Sequence, residues 1–506
     1  MKMMKKVISL VLAGVLVMGC FTGCGNKGGA GKANSATDIQ ISYWHAGLGV
    51  EWLEALIKGF EAKYPEYNVE YTASASSTAV KAAFGLSDTD TVDLYMGGKM
   101  TEFEYLEPLN DVLDATADGD TKPLKEKFLP SYLETEVYGD KYYGLTWGGG
   151  IIGFVYNKTL FNQANITQLP RTTDELVLVC DTLNDEGITP MCHFISDGYY
   201  KFMNYAWWAQ YDGMDNWMDF WQNPSEEKMA TQDGRYEVMK VHEKLNRPEN
   251  VLTGSNSDSH VSMQTKFMEG QCAMMLNGSW LASEMSHIGK FDEYAMMKTP
   301  VISSITNKLT TVKTEPELRK LISAIDNVTD GVETEDAYKD GSNYLVEGIS
   351  VSAADWEYVR KARNSMPINY GGEVCQIPNY SVAKEGAKEF LKYMYSDEGY
   401  QIYLDTLHIA MPLDLSEGEI DTSAWNAFEA NQAELFSKTE QTISHALMNQ
   451  HDIFLNGGAE PFVEYTFVGL MCAKNESDRV TADEAWKKVV DTVKDRYKNT
   501  WMKNIE

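Results

Sequence analysis

Apolar and polar positions alternate along IQISYW (39–44), as in a half-buried strand, and the run ends at Trp44-His45-Ala46-Gly47. The next segment, EWLEALIKGFEAKYP (51–65), changes period. Trp52, Leu53, Leu56, Ile57 and Phe60 fall on one helical face, and Pro65 stops the helix. NVEYTAS (68–74) reads as a strand again, and TVDLYMGG (91–98) as a third that runs into glycines. Strand, one-sided helix and strand predict a βαβ unit, hence a sheet with parallel pairing. Further on, YGDKYYGLTWGGGIIGFVYNKTLF (138–161) predicts a hairpin turn at Gly139-Asp140, then a strand broken by Gly148-Gly149-Gly150. Three glycines between strand-like runs predict a change of direction or of domain.

In FMEGQCAMMLNGSW (267–280) the apolar run CAMML is short and unalternating, as in a strand covered on both faces. Asn277-Gly278 ends it, Ser279 stands where an N-cap would start SWLASEMSHI, and Trp280 is delivered just past the turn. Residues 370–399 pair a short strand with a helix carrying Ala387, Phe390, Leu391 and Met394. Thr481 and Glu484 form a capping box before a last amphipathic helix. Residues 302–350 are polar, acidic and turn-rich, and read as an inserted subdomain or long loop.

The length of 506 residues calls for two or three domains, and 43% hydrophobic with 11% aromatic content places the chain among globular proteins. Its 44 basic and 74 acidic side chains give a formal charge of −30. Such a surface repels phosphate backbones and anionic headgroups, which argues against nucleic-acid partners and charge-driven membrane adsorption.

The first residues read as a targeting segment. MKMMKK is a positive n-region, and VISLVLAGVLVMG is an apolar h-region too short to span a membrane comfortably. LVMGCFTGCG then resembles the lipobox of bacterial lipoproteins, whose Cys is acylated and becomes the new N-terminus. Both Cys20, after Leu16-Val17-Met18-Gly19, and Cys24, which leads into the linker, are lipidation candidates. The expectation is a signal peptide over 1–23 and a flexible Gly/Ala/Ser/Asn-rich tether over 24–37. Cys180, Cys192, Cys272, Cys375 and Cys472 show no metal-ligand spacing, and Cys180–Cys192 is the nearest pair for a disulfide in an exported protein. Catalytic signatures are absent: no HExxH and no G-x-S-x-G. Asp114, Asp118 and Asp120 in DATADGD lack EF-hand spacing and read as a solvated turn. No metal or cofactor is expected, and no enzymatic activity.

Several pieces together resemble the family 1 extracellular solute-binding proteins of ATP-driven sugar importers. In order they are the lipobox, the opening strand and helix ending FEAKYPEYNVEY, DKYYGLTW, GFVYNKTLF, LPRTTDEL, GITPM, FMEGQCAMMLNGSW, and EFLKYMYSDEGY followed by MPL, over roughly residues 38–415. The chain departs from the pattern in its extended 302–350 region and in Asp90-Thr91-Val92-Asp93, where the family has a Pro-Asp strand phrase. The resemblance implies an α/β fold, a two-lobe periplasmic-binding-protein-like (class II) clamshell with an interlobe ligand cleft and hinge crossovers. Lobe 1 would comprise 38–149 plus 370–420, and lobe 2 would comprise 150–369 plus 421–506, with the crossovers at 148–150 and near 370.

Sugars present C–H faces and hydroxyl rims, so a sugar site needs flat aromatic surfaces and planar polar groups. The candidates are Trp44 and His45 after the first strand, Trp147 at the first crossover and Trp280 after the CAMML strand. Asn277 and Ser279 on that turn, and Asn369 and Glu373 near the second crossover, supply hydrogen bonds, with Tyr370 available to stack. Each has a plainer alternative. A tryptophan is often core, and Ser279 is a good cap. Trp207, Trp208 and Trp217 in NYAWWAQYDGMDNWMDFW (204–221) are either a cleft wall or helix packing. The reading is a lipid-anchored receptor on the extracellular or periplasmic face of the cell membrane, monomeric, with a carbohydrate (an oligosaccharide) as ligand and ABC permease subunits as partners. The alternatives are a surface glycoside hydrolase, or a binding lipoprotein for another polar solute such as a peptide or polyol phosphate. No Lys/Arg cluster sits on the candidate loops to receive a phosphate.

Overall fold

A computed structural model describes residues 35–45, 47–83, 92–192, 199–255, 257–329, 337–340, 343–369, 373–444, 453 and 464–504. Cys20, Cys24 and Tyr370 lie outside the described residues. The strands that carry the two main sheets and their junction are β1 (Asp38–Trp44), β2 (Asn68–Ser74), β3 (Leu94–Gly98), β4 (Leu145–Thr146), β5 (Ile152–Asn157), β6 (Met191–Cys192), β7 (Met274–Gly278), β8 (Tyr294–Met296), β9 (Ser365–Ile368), β10 (Glu373–Gln376) and β11 (Gln441–Ser444).

The first sheet has the order β2-β1-β3-β10-β4. β1 pairs in parallel with both β2 and β3, and the helix Glu51–Lys63 between β1 and β2 buries Trp52, Leu53, Leu56, Ile57 and Phe60. β10 arrives from a distant part of the chain and inserts antiparallel between β3 and β4. The second sheet, β8-β5-β7-β6, has β7 antiparallel to β5 and parallel to β6. Every residue of β7 is buried, as its unalternating apolar run predicts. Two α/β lobes result.

The junction is built by the chain crossing between sheets. It leaves the first sheet after Thr146 and enters the second at Ile152, and it returns from β9 to β10. The two passages pair with each other: Ile151 bridges Ile368, and the Asn369 N–H donates to the Gly150 carbonyl at 2.9 Å. Here the glycines are required. Gly149 has φ +116°, a region hostile to other residues, and a Cβ on Gly150 would lie 2.5 Å from the Ser279 Cβ.

The aromatic run at 204–221 is core. Trp207, Trp208 and Trp217 are at most 1% exposed, in the cluster beneath the second sheet, and the Trp207 indole N–H donates to the Pro300 carbonyl at 3.0 Å. They form no wall of the interlobe cleft. The 302–350 region is also more regular than its composition predicts. Glu315–Thr329 is a helix whose Leu318, Leu321, Ile322 and Ile325 are buried, and Ala337–Asp340, Asn343–Val346 and Ile349–Ser352 form a three-stranded antiparallel sheet. The 318/321/322/325 spacing is helical, but acidic flanks mask it in a composition-based reading. Cys180 and Cys192 are both buried free thiols, not a disulfide.

Candidate ligand-binding cleft

Strand register fixes what reaches the space between the lobes. In the first sheet Trp44 pairs with Ser74, Gly98 with Glu373 and Thr146 with Val374. The carboxyl ends of β1–β4 and the start of β10 therefore share one edge. In the second sheet Gly278 pairs with Ile152 at the start of β5, so β7 ends at the edge next to the junction. Ligand sites of open α/β sheets form outside such carboxyl edges. The cleft there has a volume of about 360 Å³.

From the first lobe come Trp44, His45, Gly47, Leu48 and Ala75. Trp44 is half-buried against the core, its indole N–H donating to the Ala75 carbonyl at 3.3 Å. The His45 N–H donates to the Ser74 carbonyl at 3.2 Å, and its own carbonyl accepts from Leu48 N–H at 2.6 Å. These bonds close the turn that Gly47, at φ +84°, makes possible.

At the junction Trp147 is 0% exposed yet lines the cleft. It stands edge-on to Tyr43 (centroids 5.1 Å apart) and stacks on Trp52 at 6.2 Å, with the planes 7° apart. Its indole N–H is buried without a partner. The Trp147 backbone N–H donates to the Glu373 carbonyl at 3.3 Å. The Glu373 side chain reaches the cleft, where Asn369 Nδ2 stands 3.2 Å from both of its carboxyl oxygens. Burial pushes this carboxyl up to about 7, against the opposing pull of the Asn369 hydrogen bond, its own backbone N–H and the Lys201 charge.

The second lobe supplies a connected wall. The Trp280 indole N–H donates to Tyr199 Oη at 3.1 Å, and the Tyr199 ring stacks on His260 with centroids 4.9 Å apart. His260 Nε2 is 3.5 Å from Glu284 Oε2, which also accepts from Gln264 Nε2 at 2.6 Å. Next to it the Ser283 hydroxyl donates to the Gly47 carbonyl at 2.9 Å, so the rims of the two lobes touch.

Six of the residues singled out by sequence, Trp44, His45, Trp147, Trp280, Asn369 and Glu373, thus line one cleft. Asn277 and Ser279 do not. Asn277 is 0% exposed; its Oδ1 accepts from the Gly278 N–H at 2.7 Å and its amide faces the Met275 sulfur, so it closes the turn from inside. Ser279 packs against Gly150 at the junction, and its N–H donates to the Ile151 carbonyl at 3.2 Å. It is no helix cap either. The short helix is Leu281–Glu284, with Trp280 at the N-cap position and no side-chain capping bond. Tyr199, His260 and Glu284 were not singled out. They stand 81 residues (Tyr199), 20 residues (His260) and 4 residues (Glu284) from Trp280 in sequence, on a loop, a helix start and a short helix that carry no signature of their own. Among the described residues no group of three or more His, Cys, Asp or Glu side chains is arranged to hold a metal ion.

The sequence profile of the bacterial extracellular solute-binding protein family matches residues 46–401. A curated relative, an uncharacterised ABC transporter extracellular-binding protein of Pyrococcus horikoshii, is 24% identical over 205 residues, 37% of this chain and 45% of that protein. The match thus spans less than half the length of that relative. Among solved structures, the GacH receptor of Streptomyces glaucescens, determined unliganded and with acarbose, superposes with a TM-score of 0.57 at 16% identity, covering 92% of this chain and 99% of that one. The apo form of RafE from Streptococcus pneumoniae gives a TM-score of 0.59 at 14% identity, covering 92% and 98%. At such identities the likeness is one of fold, two α/β lobes around a cleft.

Proposed function

Because this chain belongs to the bacterial extracellular solute-binding proteins, we propose that its cleft captures a carbohydrate, an oligosaccharide, and delivers it to the permease of an ABC importer. The observation that carries this reading is the convergence of aromatic faces and planar polar groups on one interlobe space. Trp44 and Trp147 come from one side, Trp280 and Tyr199 from the other, with Asn369 and Glu373 between them. Aromatic faces suit sugar C–H patches, and amide and carboxyl groups suit the hydroxyl rim. The named activities of similar proteins agree: GacH was solved with acarbose, and the Pyrococcus relative is an ABC transporter binding protein.

In this reading lobe 1 is 38–149 plus 370–420, and lobe 2 is 150–369 plus 421–506. Ligand stabilises closure because only the closed form makes both sets of contacts, and the glycine-rich passage at 148–150 takes up the rotation. The ligand set is Trp44, His45, Trp147, Trp280, Asn369 and Glu373, with Tyr370 as a stacking partner. Asn277 and Ser279 support the Trp280 turn. The protein is a monomer held on the outer face of the membrane through a lipid on Cys20 or Cys24, with no cofactor.

Calorimetry against a glycan panel, followed by chromatography of the bound sugar, tests this. Stoichiometric binding with the glycan returned intact is expected. Steady release of shorter sugars would establish instead the hydrolase reading, which has two carboxylates in the cleft, Glu284 and Glu373, to draw on.

A further inference from the structure

The charges around the cleft are one-sided. Among the described residues its lining contains the carboxylates Glu284 and Glu373, the imidazoles of His45 and His260, and no Lys or Arg. The two acids differ in their partners. Glu284 is engaged by Gln264 and His260 from its own lobe. Glu373 receives the Asn369 amide, shared between its two oxygens, and its own backbone N–H, and among the described residues no cation pairs with it. Lys201 acts on it through its charge, without an ion pair.

A carboxylate offers about four acceptor positions, and one amide group with one backbone N–H leaves some of them unmet. Partly buried and without a cation, such a group is costly, and a ligand that supplies both hydrogens and positive charge removes the cost. The surrounding rings favour the same ligand. Trp44, Trp147, Trp280 and Tyr199 line the same space, and aromatic faces attract ammonium groups through their quadrupole. A uronate or sugar phosphate would meet two carboxylates and, among the described lining residues, no Lys or Arg.

We propose, resting on the carbohydrate reading above, that the captured sugar carries a free, protonated amino group and that Glu373 is its counter-ion in the cleft. Asn369 positions the carboxylate, and the amino group takes the oxygen faces that Asn369 leaves open. Specificity then runs in the order amino sugar, neutral sugar, acidic sugar.

The test is calorimetry on the full-length protein at pH 7 with a panel of glucosamine-containing mono- to tetrasaccharides of several linkages. Each is matched with its N-acetylated counterpart, its hydroxyl counterpart and a uronic acid of the same size. At least one amino member is expected to bind ten-fold or more tighter than both neutral counterparts, with no detectable binding of the uronate. Glu373→Gln is expected to abolish the preference, so that the amino member binds no tighter than its neutral counterparts. Should that variant not fold, the matched series on the wild-type protein decides by itself. A neutral counterpart binding as tightly as the amino member would overturn the amino-group assignment and leave the carbohydrate reading standing. Failure of every amino member would also overturn it, and the neutral members of the same panel would then decide the carbohydrate reading separately.

Discussion

The indole of Trp280 lies directly on Gly278. A Cβ built on that glycine would stand 2.3 Å from Cη2 and 2.4 Å from Cζ3 of the ring. Gly278 has no positive φ, so the glycine is needed for this close approach and not for backbone conformation. The ring is pinned from its other side by the bond to Tyr199.

Gly278→Ala is therefore expected to push the Trp280 ring off the strand end while leaving the sheet intact. Ligand affinity should fall about ten-fold, ~1.4 kcal/mol, with an unchanged far-ultraviolet dichroism spectrum. Calorimetry with the identified ligand checks it, and unchanged affinity would show that Trp280 is not a ligand surface.

Trp147 and Trp280 should separate on stability. Trp147 is fully buried between Tyr43 and Trp52, so Trp147→Ala is expected to cost about 3–5 kcal/mol of apo stability. Trp280 is half-buried and should cost under about half of that on replacement by Ala, with the loss appearing mainly in affinity. Denaturant unfolding of both variants, run without ligand, makes the comparison.

Glu373 predicts a pH dependence. Its folded value of about 7 lies above the 4.5 of an unperturbed glutamate because burial disfavours the charged form. Between those values the folded protein holds more protons than the unfolded chain, so this group lowers stability as pH rises from about 4.5 to 7, and adds nothing further above. Glu373→Gln removes the effect. The melting temperature of the variant minus that of the wild type should grow across this window and then level off; a constant difference would contradict the assignment.

Lys127 holds the first lobe together from inside. Its ammonium donates to Asp120 at 2.6 Å, the Tyr395 carbonyl at 2.7 Å and Asp397 at 2.8 Å, and its side chain is 0% exposed. Lys127→Met leaves Asp120 buried without its cation and should destabilise by about 3–5 kcal/mol. The measurement is denaturant unfolding, with ligand affinity of the still-folded fraction unchanged because the cluster lies away from the cleft.

Local order was legible wherever a period or a cap acts over neighbouring residues. The helix faces at 51–63 and 384–394, the capping box of Thr481 and Glu484 and the covered strand β7 follow from spacing and burial alone. The Glu315–Thr329 helix had the same kind of signal, but its acidic, polar setting hid it. In the cleft, Trp44, Trp147 and Trp280 were legible because each stands at or just past a strand end, where chain geometry brings side chains to a sheet edge.

Other assignments depended on contacts between distant segments. Whether a tryptophan beside a strand faces ligand or core is set by what packs on it, and so Trp207, Trp208 and Trp217 became core. Asn277 and Ser279 share the turn with Trp280, yet one points inward and the other meets Gly150. The joining of Tyr199, His260 and Glu284 to Trp280 depends on how a loop and two helices dock, an outcome of long-range packing that no local pattern encodes. The sequence by itself thus determined the elements outside the 302–350 region, the family and the strand-end tryptophans. Only the tertiary structure decided which polar side chains meet them, and set Glu373 in the cleft beside the Asn369 amide.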